Sequence, residues 1–272
     1  MLNRAALKRK TIFGLAGERF RPRKDALDII IPVAAKDTAC LKEAITAARR
    51  CLRHNIGRIY LVYGGERPRE SWFVSKGVIL VDEREVAPIA KSDINYHPGG
   101  RDRSGWLYQQ LIKLSCDQLS SEEHILALDS DTVFTRPQRL IRNGRVVLNT
   151  SHERHEPYYR MIRYLFPDMP LYPYSFVSHH MLFTKTYLCE MKRCLERDGR
   201  KWWETILDNL DSRETSGFSE YETYGNYMIS RHPAKVRVEH CLNQSFSTAW
   251  IGRLWYIRLR HPLIKTASFH AW

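Results

Sequence analysis

Two aspartates one residue apart, Asp129 and Asp131, close an apolar run in Leu126-Ala-Leu-Asp-Ser-Asp-Thr-Val-Phe134. On extended backbone, side chains two residues apart point the same way. The two carboxylates would then repel each other, and at least one would hold its proton more tightly than usual. A hard divalent cation relieves that repulsion: Mg²⁺ and Mn²⁺ favour oxygen ligands and leave positions free for phosphate oxygens. Such an ion can also neutralise charge gathering on a departing diphosphate. The competing reading is a pair of solvated turn aspartates, and the buried strand directly before them favours the metal. Asp129 and Asp131 are therefore expected to be metal ligands, with Mn²⁺ or Mg²⁺ as cofactor.

The elements that would position these carboxylates are legible in the hydrophobic pattern. Asp28-Ile-Ile-Ile-Pro-Val-Ala34 reads as a buried strand that ends at Pro32 or just after, its branched residues suiting a sheet covered on both faces. Residues 38–53 carry apolar side chains at 41, 45, 48 and 52, a helical spacing, with Thr38 as cap and Asn55-Ile-Gly57 as stop. A second strand starts at Arg58 and a weaker third at Val78. Strand, helix and strand over so few residues predict a βαβ unit. Residues 94–103 read as a loop, Ser104–Leu119 as one helical run, and His124–Leu128 as the strand that delivers Asp129. Its carboxyl edge is where open α/β sheets place ligands. Further strands are expected at Val146 and Met181, with an exposed one at Val236. Helices are expected near 158–166, 186–197, Trp202–Leu210 and 218–229.

In four segments the chain resembles nucleotide-sugar glycosyltransferases of the GT-A class, and within that class a poorly characterised bacterial group. They are Asp28-Ile-Ile-Ile-Pro32, Gly105-Trp-Leu-Tyr-Gln-Gln-Leu-Ile-Lys113, Leu126–Phe134 and Ser219-Glu-Tyr-Glu-Thr-Tyr-Gly225. The resemblance implies an α/β GT-A-like single domain with a mostly parallel central sheet flanked by helices. It implies a catalytic domain over residues 26–245, preceded by a basic extension (1–25) and followed by an aromatic and basic segment (246–272). It also implies that Asp131 grips the metal while Asp129 contacts the ribose or reaches the metal through water. Pro32, Val33 and Ala34 would lie against the nucleotide, and the helix Gly105–Lys113 with Gln110 beside the donor, or else in a core and capping role.

An inverting transfer needs a base for the acceptor hydroxyl. Glu220 is the preferred candidate and Glu222 the alternative, and two helix-start glutamates capped by Ser219 are the plain reading. A retaining transfer would need no such base, since the leaving diphosphate could accept the proton. For a third metal ligand the sequence offers His179, His180 and His240; the resemblance points to His240, as a late histidine ending a strand. Of the adjacent pair, at most one should face the site. Arg101, Arg103 and Lys113, with Arg231 and Lys235, are candidate cations for the diphosphate, or solvated surface charge.

The chain has 272 residues, 43 Lys plus Arg and 30 Asp plus Glu, a net +13. Residues 25–230 hold 28 of each sign, so the surplus lies at the two ends. That distribution disfavours a nucleic-acid enzyme and suits either an anionic membrane surface or acceptor, or charge that merely solubilises the chain. The apolar run Ile12–Ala16 is too short for a signal peptide, and six cysteines without paired spacing suit a reducing compartment. The expected location is the cytoplasm, with peripheral attachment at the inner face of its membrane as an option. The expected partners are a nucleotide sugar as donor and a saccharide or lipopolysaccharide-like glycolipid as acceptor. In Phe246–Arg260 one helical face would carry Trp250, Leu254 and Ile257, fit either to cover the domain or to lie in a bilayer interface. A metal-dependent phosphoesterase would call for more convergent ligands, and a non-catalytic binding protein would tolerate loss of both aspartates.

Overall fold

The computed structural model of the chain describes residues 26–33, 38–68 and 70–270; the predicted basic extension and Ala34 lie outside them. Strand β1 (Ala26–Val33) is buried from Leu27 onward. Helix α1 (Leu41–Cys51) covers the sheet with Leu41, Ala44, Ile45 and Ala48. Thr38 does not cap it through its side chain: the N-cap residue is Cys40, and Thr38 contributes its carbonyl, which accepts from Leu41 N. Asn55-Ile-Gly57 is not a helix stop but the start of β2 (Asn55–Tyr63), where Asn55 and Ile56 pair with Ala26 and Leu27. The glycine answers to a different constraint. A Cβ on Gly57 would lie 2.5 Å from Asp28 Oδ1, the buried oxygen that accepts from Arg58 N at 2.6 Å.

Helix α2 (Glu70–Ser75) and strand β3 (Val78–Asp82) follow. The stretch expected as a loop, 94–103, contains one short turn of 3₁₀ helix, Pro98–Gly100, and another, Lys91–Asp93, directly precedes it. Helix α3 (Ser104–Leu114) stops earlier than its leucine spacing suggests, because Ser115 turns its hydroxyl back onto Leu111 O and the chain tightens into 3₁₀ geometry at Cys116–Gln118. Strand β4 (His124–Leu128) then runs through the core.

The second half consists of β5 (Thr132–Phe134), β6 (Ile141–Arg142), β7 (Arg145–Thr150), α4 (Glu156–Leu165), β8 (His180–Thr184), α5 (Lys185–Leu195), α6 (Trp202–Asp208), α7 (Glu220–Arg231), β9 (Val236–His240), β10 (Asn243–Ser247), α8 (Leu254–Arg260) and β11 (Thr266–His270). The main sheet has the order β3-β2-β1-β4-β8, parallel except for β8, which runs antiparallel to β4. This is an α/β fold with a mixed, mostly parallel central sheet flanked by helices. The chain builds outward from β1 to β3 and then returns across β1 to β4, so the switch point lies between β1 and β4.

Two smaller sheets, β6-β7-β9 and β10-β11-β5, complete the fold. Strand β9, expected to be exposed, lies parallel to β7 and buries both its ends, Val236 and His240. The expected boundary after residue 245 falls inside β10. The segment beyond it supplies β11, which pairs antiparallel with β5 through Thr266↔Phe134, Ala267↔Val133 and Ser268↔Thr132. Its small residues are buried in that sheet. The single helical face expected at Trp250, Leu254 and Ile257 is broken: Trp250 sits in a 3₁₀ turn (Thr248–Arg253), and of α8 Ile257 is the buried residue. Among the described residues no helix is long and apolar enough to cross a membrane.

Candidate metal centre

Strand β4 carries Asp129 out of the core at the switch point. The register of β1 with β4 (Ile30↔Ala127), continued two residues, brings Pro32 level with Asp129, so Pro32 and the buried Val33 lie at the strand end beside it. A tight turn follows, with Thr132 N donating to Asp129 O at 3.0 Å. It presents Asp131, whose carbonyl accepts from Phe269 N at 2.9 Å and is so pinned to β11.

Among the described residues, one group of acidic, histidine or cysteine side chains gathers its ligand atoms within 4.8 Å: Asp129, Asp131 and His179. His179 Nδ1 lies 3.4 Å from Asp129 Oδ2, and its Nε2 lies 3.3 Å from Glu153 Oε1, a half-exposed carboxylate. The backbone of His179 is left-handed (φ 61°), an uncommon conformation for a non-glycine residue, and its carbonyl accepts from Asp129 N at 3.1 Å. Burial lowers the affinity of His179 for its second proton, but its bonds to Asp129 and Glu153 outweigh this and raise its pKa to about 10. On the other side, His270 at the end of β11 places Nδ1 3.1 Å from Asp131 Oδ2. Two carboxylates and an imidazole form a donor set suited to Mn²⁺ or Mg²⁺, and the contacts of His179 with Asp129 and Glu153 mark where positive charge is wanted.

The histidine brought to the aspartates is thus His179, and not His240. That residue ends β9, opposite Thr150, with its ring 4.6 Å from that of His152. His180, the first residue of β8, turns into the core, while its neighbour His179 stays in the left-handed turn before the strand. Its Nδ1 donates to Ser178 O at 2.8 Å, so its Nε2 accepts from Asn149 at 2.9 Å.

Behind Asp129 lies a buried ionic cluster. Lys113, from the last turn of α3, sits 2.5 Å from Asp129 Oδ1 and 2.8 Å from Glu220 Oε1. Its Nζ also lies 4.4 Å from the ring centroid of Tyr221, whose hydroxyl donates to Asp129 Oδ1 at 2.9 Å. Burial disfavours the ammonium, yet Asp129 and Glu220 more than reverse that and keep its pKa well above the ordinary lysine value. Burial likewise opposes ionisation of Asp129, and Lys113 and His179 overcome it, holding its pKa well below the usual carboxylate range. Gln110, with its amide nitrogen turned to Glu220, donates to the same carboxylate.

These contacts revise the expected roles. Glu220 is 1% exposed and paired with Lys113. Glu222 is 0% exposed and accepts from Ser175 Oγ and, at 3.2 Å, from Tyr159 OH. Burial raises the pKa of both, but neither is open to an acceptor hydroxyl. They begin α7 as the plain reading had it, with Ser219 Oγ accepting from Glu222 N. Arg103 is committed as well. Its guanidinium donates to Thr215 O at 2.7 Å and to Ser216 Oγ at 3.2 Å and stacks over Trp106, tying the start of α3 to the loop before α7 rather than waiting for a phosphate. The sequence reading missed Glu153 and His270. The second had a signal: Thr266-Ala-Ser-Phe-His270 is a short alternating strand ending in histidine.

The chain belongs to the family described as a family of unknown function, DUF6492, whose model matches residues 69–253. No curated protein matches the sequence. The solved structures similar to it include the following two. Mouse xyloside xylosyltransferase 1, in its apo form, overlays with a TM-score of 0.45 at 14% identity, covering 89% of this chain and 97% of that one. Galactosyltransferase LgtC, in complex with donor and acceptor sugar analogs, overlays with a TM-score of 0.46 at 12% identity, covering 89% and 86%.

Proposed function

We propose that this protein is a metal-dependent glycosyltransferase that moves a sugar from a nucleoside diphosphate sugar to a hydroxyl of a saccharide or glycolipid. The observation that carries this reading is the convergence of Asp129, Asp131 and His179 at the carboxyl end of β4, beside the switch point of the main sheet. Asp131, Asp129 and His179 would hold Mn²⁺ or Mg²⁺, with His270 next to Asp131 as a further donor. The bound ion would supply the positive charge that a departing diphosphate needs. Lys113 keeps Asp129 ionised and fixes its rotamer, Tyr221 anchors the same oxygen, and Pro32 and Val33 form the wall for the nucleotide. In an inverting reaction the half-exposed Glu153, bonded to His179, would take the acceptor proton.

A second reading, retention at the anomeric carbon, is favoured by the burial of Glu220 and Glu222: the leaving diphosphate would then accept the acceptor proton on the same face. The anomeric configuration of an isolated product, read by NMR, separates the two. The test of the main reading is isothermal titration of the full chain with a panel of nucleotide sugars, with and without Mn²⁺. Donor binding should require the metal, and Asp131→Ala should weaken Mn²⁺ binding by more than about tenfold. A donor that binds equally well without metal and to the variant overturns the assignment.

A further inference from the structure

We propose that the ridge formed by the 3₁₀ turn Thr248–Arg253, α8 and the Pro262–Leu263 turn docks the protein onto an anionic lipid bilayer. Four of the seven large apolar side chains exposed among the described residues lie within these sixteen positions: Trp250, Trp255, Leu259 and Leu263. Trp255 (67% exposed) and Leu259 (69%) are four residues apart on α8 and share one outward face, opposite the buried Ile257. A soluble surface seldom gathers such side chains without a partner for them.

The charge carried by the ridge itself has one sign. Residues 240–270 contain no aspartate or glutamate. Arg253 stacks over Trp250 at 5.1 Å and Arg260 over Tyr256 at 5.4 Å. Arginines from other elements join them: Arg136 donates to Arg258 O, and Arg50, Arg53, Arg136 and Arg258 all act electrostatically on the one Cys51 thiol. Protruding tryptophan and leucine within a field of arginines match a surface that offers hydrocarbon beneath anionic headgroups. A nucleic acid would meet the cations but leave Leu259 and Leu263 without a counterpart. The ridge also bears on the metal centre. It leads directly into β11, which ends at Asp131, and five residues of strand span on the order of 15 Å. A docked protein would hold its site close to the bilayer.

The test is co-sedimentation of the full chain with phosphatidylcholine vesicles, alone and mixed with phosphatidylglycerol. The wild type should bind the anionic vesicles, more weakly in high salt, with a blue shift of tryptophan fluorescence. Trp255→Ser/Leu259→Ser should lose at least about tenfold in affinity, and Arg253→Glu/Arg260→Glu should lose the preference for anionic lipid. All four positions are exposed, so circular dichroism of each variant should match the wild type. Three results overturn the proposal: no binding to either vesicle, undiminished binding by the Trp255 and Leu259 variant, or self-association through the ridge without vesicle binding. The readout needs no sugar donor, so its failure and that of the transferase reading are distinguishable.

Discussion

An ammonium wedged between two carboxylates, with little water to screen it, makes Lys113 the side chain on which the charge balance behind the candidate metal centre rests. Replacing it removes one partner of a buried ion pair and leaves two anions facing each other, a change that costs about 3–5 kcal/mol in comparable sites. Lys113→Met should lower stability by that order in urea denaturation, and Lys113→Met/Glu220→Gln should recover part of the loss. His180 gives a prediction of a different kind. Burial holds its pKa down at about 4, and the imidazole is neutral between Ser178 and Asn149. Between about pH 6.5 and about pH 4 the unfolded chain binds this proton and the folded chain does not, so stability falls as pH falls through that window, by up to about 3 kcal/mol. Urea midpoints at about pH 7 and about pH 4.5 should show this slope in the wild type and a smaller one in His180→Gln. At this scale the residue types were legible and their surroundings were not. Asp129 and Asp131 stand out because a strand-then-DxD pattern is local, whereas nothing in Ser219-Glu-Tyr-Glu222 shows that Ser175 and Lys113 will claim its glutamates.

Among the elements, α7 is held by a contact that depends on a missing side chain. A Cβ on Gly225 would meet the Phe176 side chain at 2.4–2.8 Å, so the helix can lie against Phe176 only with glycine there. Gly225→Ala should cost about 1–3 kcal/mol through overpacking, and adding Phe176→Leu should return part of it; urea midpoints of the single and double variants check both. Strands β1, β2 and β4 and helix α1 could be read from the sequence because buried branched runs and a 3.6-residue apolar spacing are signals carried within one segment. What could not be read were choices made by partners elsewhere. Asn55-Ile-Gly57 has helix-stop composition, yet the glycine is required by Asp28 of the neighbouring strand. Val236–His240 looks solvent-facing until β7 lies beside it.

At the scale of the molecule, the candidate centre is assembled from α3, the end of β4, the turn before β8, and β11. Deleting the chain from residue 262 onward removes the strand that pairs with β5 and the amide that holds Asp131 O. Mn²⁺ binding should weaken in that truncated form even though Asp129, Asp131 and His179 remain. Titration alongside circular dichroism checks it, with His270→Ala as the local control. The fold class and the two aspartates followed from segment patterns, but the partners that complete the site did not. His179, His270 and Lys113 meet the aspartates through pairings across 16 to more than 130 residues that no window of sequence displays. Because β11 closes the arrangement, synthesis imposes a timetable. All strands of the main sheet lie within residues up to 184, and when those have been made Asp131 still lacks its neighbour. A ribosome-bound intermediate would carry Asp129, Asp131 and His179 and yet lack the strand that holds Asp131, so its capture of an ion should tighten only once residue 270 has been added.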